Sequence, residues 1–280
     1  MPFKPRSDLI TPPKVEPPEF DLKALMDRML QICAERRIRP VRFLTLVEGK
    51  RQRVPGLWRP NMLRGCKRKQ VYKAVRAIPQ VIPYKRERQL WFDRGHVYGA
   101  WVLSYFQAME AIPELGVTNV RGELLAVDSR TQLGGYADIS FDYGGHTYIV
   151  EVKSKDDIDA FLKVLKPDEE HLKQLNDYMV MRGVSAGWVL YIGVVVDAES
   201  KKTQTDFKLF FHRVSRELWA DTEARTNALM WYVKDQSRLP PESTSTWLEC
   251  PSCEYKHWCD RQLPPAQVAK YERKERAEQP

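Results

Sequence analysis

Long hydrophobic runs are missing from this 280-residue chain. The longest, near Trp188 to Val196, is far too short to span a bilayer and contains a glycine. The first residues, MPFKPRSDLITPPK, lack the apolar core of a signal peptide. A cytoplasmic protein with no membrane association is therefore expected. Cysteine is scarce, with five in all, and in a reducing compartment five thiols are metal ligands or free thiols more readily than disulfides. Acidic residues are scarce in one region. Between Arg36 and Arg88 there are about seventeen Lys or Arg against about two acids, Glu48 and Glu87. A segment so lopsided repels itself unless it lies along something negative. The whole chain follows suit, with net charge +8 and pI near 9.2. Both point to a polyanionic partner, most often nucleic acid, although a merely basic protein has the same charge.

What is present centres on residues 134–153, GGYADISFDYGGHTYIVEVK. Apolar and polar residues alternate on both sides of a Gly-Gly pair, the pattern of a β-hairpin. With Gly144 and Gly145 in the turn, Tyr143 pairs with His146, and counting outward sets Asp138 across from Glu151. Directly opposed side chains are roughly 5 Å apart at Cβ, so two carboxylates there repel unless a cation lies between them. Lys153 falls on their face. Ile139, Phe141, Tyr148, Val150 and Val152 make the other face, one to bury. Asp, Glu and Lys so arranged suit a hard divalent cation held by oxygens. The two carboxylates and the Val152 carbonyl would be the ligands and Lys153 a partner for a water molecule. A salt-bridged hairpin facing water has the same residue types.

Around the hairpin, a Pro-rich arm occupies residues 1–18. A helix over 21–36 carries Leu22, Leu25, Met26, Met29, Leu30 and Cys33 on one stripe, which makes Cys33 a core thiol. A second helix spans 94–110. Strands are expected at 119–127, 136–142 and 146–153. A helical stretch from Asp156 breaks at Pro167, and a helix from Asp168 ends at Gly183. Strands at 188–196 and 206–213 and a helix over 215–234 complete the core. After the Pro- and Ser-rich linker SRLPPESTST come LECPSCEYKHWCD and a charged tail over 263–280. The order of elements gives an α/β core on a mixed β-sheet flanked by helices.

G-x-x-D, followed about a dozen residues later by E-V-K after an apolar run, resembles the PD-(D/E)XK nuclease superfamily. Gln174 and Tyr178, four apart on the next helix, resemble the Q-x-x-x-Y signature of its RecB-like branch. Cys250, Cys253 and Cys259 follow C-x2-C-x5-C, with Cys66 far upstream. That pattern resembles the iron–sulfur RecB-like exonucleases: the AddB nuclease domain, the CRISPR-associated Cas-four type and phage-encoded relatives. The spacing alone suits structural zinc equally well. The resemblance covers roughly Asn61 to Asp260.

The resemblance implies a restriction-endonuclease-like core plus a helical iron–sulfur region. A single domain over 19–262 would divide into a basic helical part (19–110), a catalytic core (111–235) and a cluster-ligating part (240–262). It implies metal-dependent cleavage of DNA, exonucleolytic on ends or single strands, in repair, recombination or spacer processing, with recombination or CRISPR-adaptation proteins as partners. Asp138 and Glu151, with Val152, would hold Mn²⁺ or Mg²⁺, Lys153 would serve the water, and Gln174 and Tyr178 would support them. Cys66, Cys250, Cys253 and Cys259 would hold a 4Fe–4S cluster. Glu123 resembles a frequent family acid. One position departs from the pattern. The family's R-G-x-x-x-H matches at Arg94 and Gly95, but Gly99 stands where the ligand His belongs. His96, on a neighbouring part of the helix face, is either its substitute or a surface residue. Trp58, Tyr72, Tyr84 and Trp91, among the cations, are candidates for stacking on bases or for core packing. A DNA-binding module without catalysis and a zinc-stabilised DNA-binding protein remain alternatives.

Overall fold

A computed structural model describes residues 17–36, 58–63, 65–77, 79, 86–155, 157–196, 203–241 and 253–268. Residues 1–16 of the expected Pro-rich arm, residues 269–280 of the expected charged tail, Tyr84 and Cys250 lie outside these; Leu263 and Val268, at the start of that tail, are buried. The described residues gather into two compact units. The first draws on segments 1–54, 87–126 and 135–219, the second on 55–86, 127–134 and 220–280.

The first unit is built on the sheet. Strands β1 (Thr118–Asp128), β2 (Leu133–Tyr143), β3 (His146–Lys155), β4 (Ala186–Val196) and β5 (Thr203–Arg213) lie in the order β1-β2-β3-β4-β5. β2 and β3 pair antiparallel, β3 and β4 parallel, and β4 and β5 antiparallel, so the sheet is mixed as expected. The β2–β3 register matches the sequence reading, from Tyr143↔His146 through Ile139↔Val150. Gly144 and Gly145 both have positive φ (58° and 81°), which a tight hairpin turn demands and glycine supplies without strain.

Helices cover both faces. Against one lie α1 (Leu22–Glu35) and α4 (Arg86–Glu110). Asp21 caps α1 by accepting the Ala24 N–H at 2.8 Å. Its buried stripe is Leu22, Met26, Met29, Ile32 and Cys33; Leu30, expected there, is exposed. α4 begins earlier than expected because no helix breaker separates Arg86 from Arg94. Val102, Phe106 and Met109 of α4 meet Ile139, Phe141, Tyr148, Val150 and Trp188 of the sheet. The aromatic rings interlock, Phe106–Phe141 at 5.1 Å and Tyr148–Trp188 at 5.0 Å between centroids, each pair adding about 1 kcal/mol beyond burial.

On the other face lie α5 (Ile158–Leu162) and α6 (Glu169–Arg182), the crossover from β3 to β4. Asp168 caps α6, and Gly183, at φ 66°, ends it in the left-handed conformation. Phe161, Leu175, Tyr178 and Met179 pack on Ala137, Ile149, Val189 and Tyr191. The polar side of the hairpin therefore does not face water, as a salt-bridged surface hairpin would; α6 covers it.

Close packing fixes the β3–β4 joint. Gly187 pairs with Ile149, and a Cβ at Gly187 would stand 2.3 Å from the Ile149 carbonyl oxygen. Backbone cannot yield there as a side-chain tip would. Gly187→Ala is expected to cost roughly 3 kcal/mol, read as a lower urea midpoint with an unchanged slope. A midpoint equal to that of wild type would contradict this close approach.

The second unit contains α2 (Pro60–Leu63), α3 (Lys67–Ala74), most of α7 (Arg216–Lys234) and α8 (Lys256–Asp260). Its apolar cluster is small: Tyr72, Ala77, Tyr255, Trp258, Leu263 and Val268. Long-range hydrogen bonds supplement it. Tyr72 donates to the Leu263 carbonyl at 2.7 Å, Arg68 Nε to the Pro240 carbonyl at 2.8 Å, and Arg225 to the Gly65 carbonyl at 2.6 Å. No helix among the described residues is long and apolar enough to cross a membrane.

Candidate active site

Strict alternation along β2 fails at Asp138. Ala137 packs beneath α6, whereas Ile139 packs on the α1 and α4 side. The strand turns there, and the Asp138 carboxylate reaches across to accept the Val152 backbone N–H at 2.8 Å. Glu151 is 1% exposed. Its Oε1 accepts from Lys153 Nζ at 2.7 Å, while its Oε2, also buried, has no hydrogen-bond partner among the described residues. A buried carboxylate oxygen without a donor is costly, and a second carboxylate beside it increases the cost. Burial, and then the Asp138 charge, push the Glu151 pKa up to about 8, with Lys153 working against the rise. Burial opposes the Lys153 charge, but Glu151 and Asp138 outweigh it and hold the ammonium above its ordinary range. Two carboxylates and an orphaned oxygen are a donor set that fits a hard divalent cation.

Helix α6 completes the group. Gln174 and Tyr178, four residues apart, are both buried toward the sheet. Lys153 Nζ donates to Gln174 Oε1 at 2.9 Å, so one ammonium is shared by Glu151 and Gln174. Tyr178 interacts with Gln174, and its phenol is driven far up by burial and then by the Glu151 and Asp138 charges. The structure thus brings Asp138, Glu151, Lys153, Gln174 and Tyr178 together. The sequence reading overlooked His171, one turn before Gln174 on the same helix. Its Nδ1 lies 2.7 Å from the Tyr191 hydroxyl. The spacing H-x-x-Q-x-x-x-Y, which places all three on one face, was the available signal.

His96 is not part of this group; it is exposed on α4. Among the described residues no third His, Cys, Asp or Glu joins the two carboxylates in a metal-holding set. A Cβ at Gly99 would meet nothing within 4 Å, so space for a side chain exists there unfilled. Glu123 is half-buried in β1 with a left-handed backbone, φ 50°. That conformation is uncommon for a non-glycine residue. Trp58 and Tyr72 are buried, so neither offers a face for base stacking; Tyr84 and the Trp91 side chain lie outside the described residues.

In the second unit Cys66, Cys253 and Cys259 line a cavity of about 50 Å³, with Arg68, Lys69, Tyr72, Tyr255 and Lys256. Arg68 Nη1 donates to Cys259 Sγ at 3.4 Å. Burial pushes the Cys253 thiol up. As they stand, the three sulfurs do not form a closed metal-holding set. Three thiols on one cavity nonetheless fit a sulfur-liganded centre. Cys250, the fourth expected ligand, lies outside the described residues. Cys33 is elsewhere, buried in α1 with its Sγ 3.6 Å from Met29 Sδ, the core position expected of it.

No family model matches the chain, and no curated protein matches it. Some solved structures are similar to it. The crystal structure of SSO0001 matches 86% of this chain and 96% of its own, at 14% identity and a TM-score of 0.46. An alkaline exonuclease, LHK-Exo, from Laribacter hongkongensis matches over 60% of this chain and 78% of its own, at 14% identity and TM-score 0.40. The same exonuclease in complex with dAMP matches over 64% and 88%, at 13% identity and TM-score 0.41. The sheet itself is mixed and five-stranded with helices on both faces, the α/β architecture expected of it. Likeness at this level transfers no activity to this chain.

Proposed function

We propose that this chain is a metal-dependent deoxyribonuclease of the PD-(D/E)XK type, acting as an exonuclease on DNA ends or single strands. The observation that carries the reading is Glu151. A buried carboxylate with an unpartnered oxygen, set against Asp138 and gripped by Lys153, is poorly explained as structure and well explained as half of a cation site. Asp138, Glu151 and the Val152 carbonyl would hold Mn²⁺ or Mg²⁺. When bound, the ion supplies Lewis-acid polarisation of the phosphate and of a water.

The remaining work belongs to the chain's own side chains. Lys153, kept charged by two carboxylates, orients the water and offsets charge developing on phosphate oxygens. Gln174 fixes the Lys153 ammonium from α6, and Tyr178 braces Gln174. The basic segment between Arg36 and Arg88 supplies phosphate contacts independent of sequence. Cys66, Cys250, Cys253 and Cys259 would hold a 4Fe–4S cluster, with zinc as the competing occupant, in a structural role. DNA repair, recombination or spacer processing, alongside recombination or CRISPR-adaptation proteins, is the setting this chemistry suits.

A second reading, a DNA-binding module of the same fold without catalysis, is favoured by Gly99, which offers no imidazole to the metal, and by the exposed position of His96. The two separate in one experiment. Anaerobically prepared protein is incubated with end-labelled single- and double-stranded DNA, with and without Mn²⁺. Mn²⁺-dependent shortening from the ends supports the exonuclease; tight binding with intact DNA supports the binding module.

A further inference from the structure

The chemistry above leaves His171 unused. On α6 it shares a face with Gln174 and Tyr178, at i, i+3 and i+7. Its Nδ1 is 2.7 Å from the Tyr191 hydroxyl, which accepts the Asp168 backbone N–H at 2.9 Å. A phenol carries one proton. With the Asp168 N–H directed at its oxygen, we assign the phenol proton to the contact with His171 Nδ1 and the imidazole proton to Nε2. Tyr191 is almost fully buried and pairs with Lys153 across the β3–β4 joint, so the arrangement is anchored in the sheet. Nε2 makes no hydrogen bond among the described residues.

Positive charge surrounds the ring. Burial, and then the Lys153 charge, lower the His171 pKa to about 4; Asp168 opposes the shift and Lys155 adds to it. The ring is therefore neutral at physiological pH and presents an N–H donor. Lys155 Nζ stands 5.6 Å from the Tyr191 ring centroid. A neutral donor locked in one tautomer beside two ammonium groups is suited to an anion that accepts hydrogen bonds.

We infer that His171 Nε2–H and Lys155 form a phosphate-binding subsite beside Lys153, which takes one phosphate of the DNA strand held at the candidate active site. The inference rests on the nuclease reading. It makes His171 a substrate-contacting residue, Tyr191 the residue that positions it, and the nucleic-acid phosphate oxygen the acceptor.

The test uses full-length protein in Mn²⁺ and a series of single-stranded substrates, each with one phosphate replaced by an uncharged methylphosphonate. His171→Phe keeps ring volume and removes the donor, whereas His171→Gln keeps an N–H near the Nε2 position. His171→Phe is expected to lower kcat/KM about tenfold, the size of one hydrogen bond to a charged group, and mostly through KM. His171→Gln is expected to recover most of that loss. At one position the methylphosphonate should slow wild type about tenfold but His171→Phe hardly at all, a pattern that a merely structural residue would not produce. If His171→Phe does not fold, Tyr191→Phe, which frees the tautomer, should show a weakened penalty at the same position. Wild-type kcat/KM in His171→Phe, or an equal methylphosphonate penalty in both at every position, overturns the subsite while the nuclease stands. A wild-type protein that cleaves nothing overturns both.

Discussion

Glu151→Gln is expected to slow DNA cleavage about a thousandfold while making the metal-free protein more stable than wild type above neutral pH. The two effects share one cause. In the folded state burial and Asp138 push the Glu151 pKa from an ordinary 4.5 up to about 8. A folded-state pKa above the unfolded one means that the native protein binds the proton more tightly. Stability from this group is therefore greatest at low pH and is lost as pH rises from about 4.5 to about 8. Glutamine has the same shape and carries no charge to desolvate. It can still accept from Lys153, and its amide can donate to Asp138. The melting temperature of Glu151→Gln should accordingly vary less across that window. Mn²⁺ should raise the melting temperature of wild type, by an amount set by its concentration over Kd, and leave the variant unmoved. Cleavage by the variant at the wild-type rate would remove Glu151 from the active site. A wild type insensitive to Mn²⁺ would remove the cation.

Cys66→Ala is expected to lose bound iron, melt about 10 °C lower and bind DNA more weakly, whereas Cys33→Ala keeps its iron. The small apolar cluster of the second unit explains the size of the first effect. Tyr72, Trp258 and a few neighbours hold α3 to a segment nearly two hundred residues later. Closing so long a loop costs little more than closing a short one, but a centre that enforces closure contributes several kcal/mol. A loss of that size corresponds to roughly 10 °C in a chain this long. Cys33, packed against Met29 within a large core, should cost about 1 kcal/mol on truncation. Iron, acid-labile sulfide and zinc are measured on all three proteins. Equal iron in both variants, or zinc in place of iron in the wild type, would refute the cluster.

The hairpin was legible because a Gly-Gly pair and the alternation on either side of it, out to Ile139 and Val150, fix its register without help from the rest of the chain. Helix α6 was legible for a similar reason, with Asp168 and Gly183 marking its ends. Burial of the polar side was not. Alternation separates two faces but does not reveal that a second helix layer covers the one bearing Ser140 and Glu151. The same blindness hid His171, which sits beside Leu172 and contacts Tyr191 only once the crossover has brought β4 next to β3. Helix α4 ran past its expected start because its first residues carry charge instead of a breaker. Trp58 and Tyr72 illustrate the limit most plainly. Set among cations in the sequence they suggested stacking, yet both are buried, Tyr72 in the apolar cluster of the second unit and Trp58 bridged by its backbone to Leu133.

The parallel joint between β3 and β4 has a consequence for the order in which the chain assembles. β2–β3 and β4–β5 each pair sequence neighbours and need only short loops to close. β3 and β4 come together only when everything between Lys155 and Ala186 has folded back as a crossover. Pairing across such a separation is slow, because closure entropy is spent before any contact forms in return. Asp138 and Glu151 are thus neighbours early, on a hairpin open to water that keeps both carboxylates hydrated. Their desolvation waits until α6 closes over them and Gln174 arrives at Lys153. The chemistry-bearing end of the fold is in this sense a late product of assembly, and the strain of its buried charges is deferred until the rest of the sheet is ready to bear it.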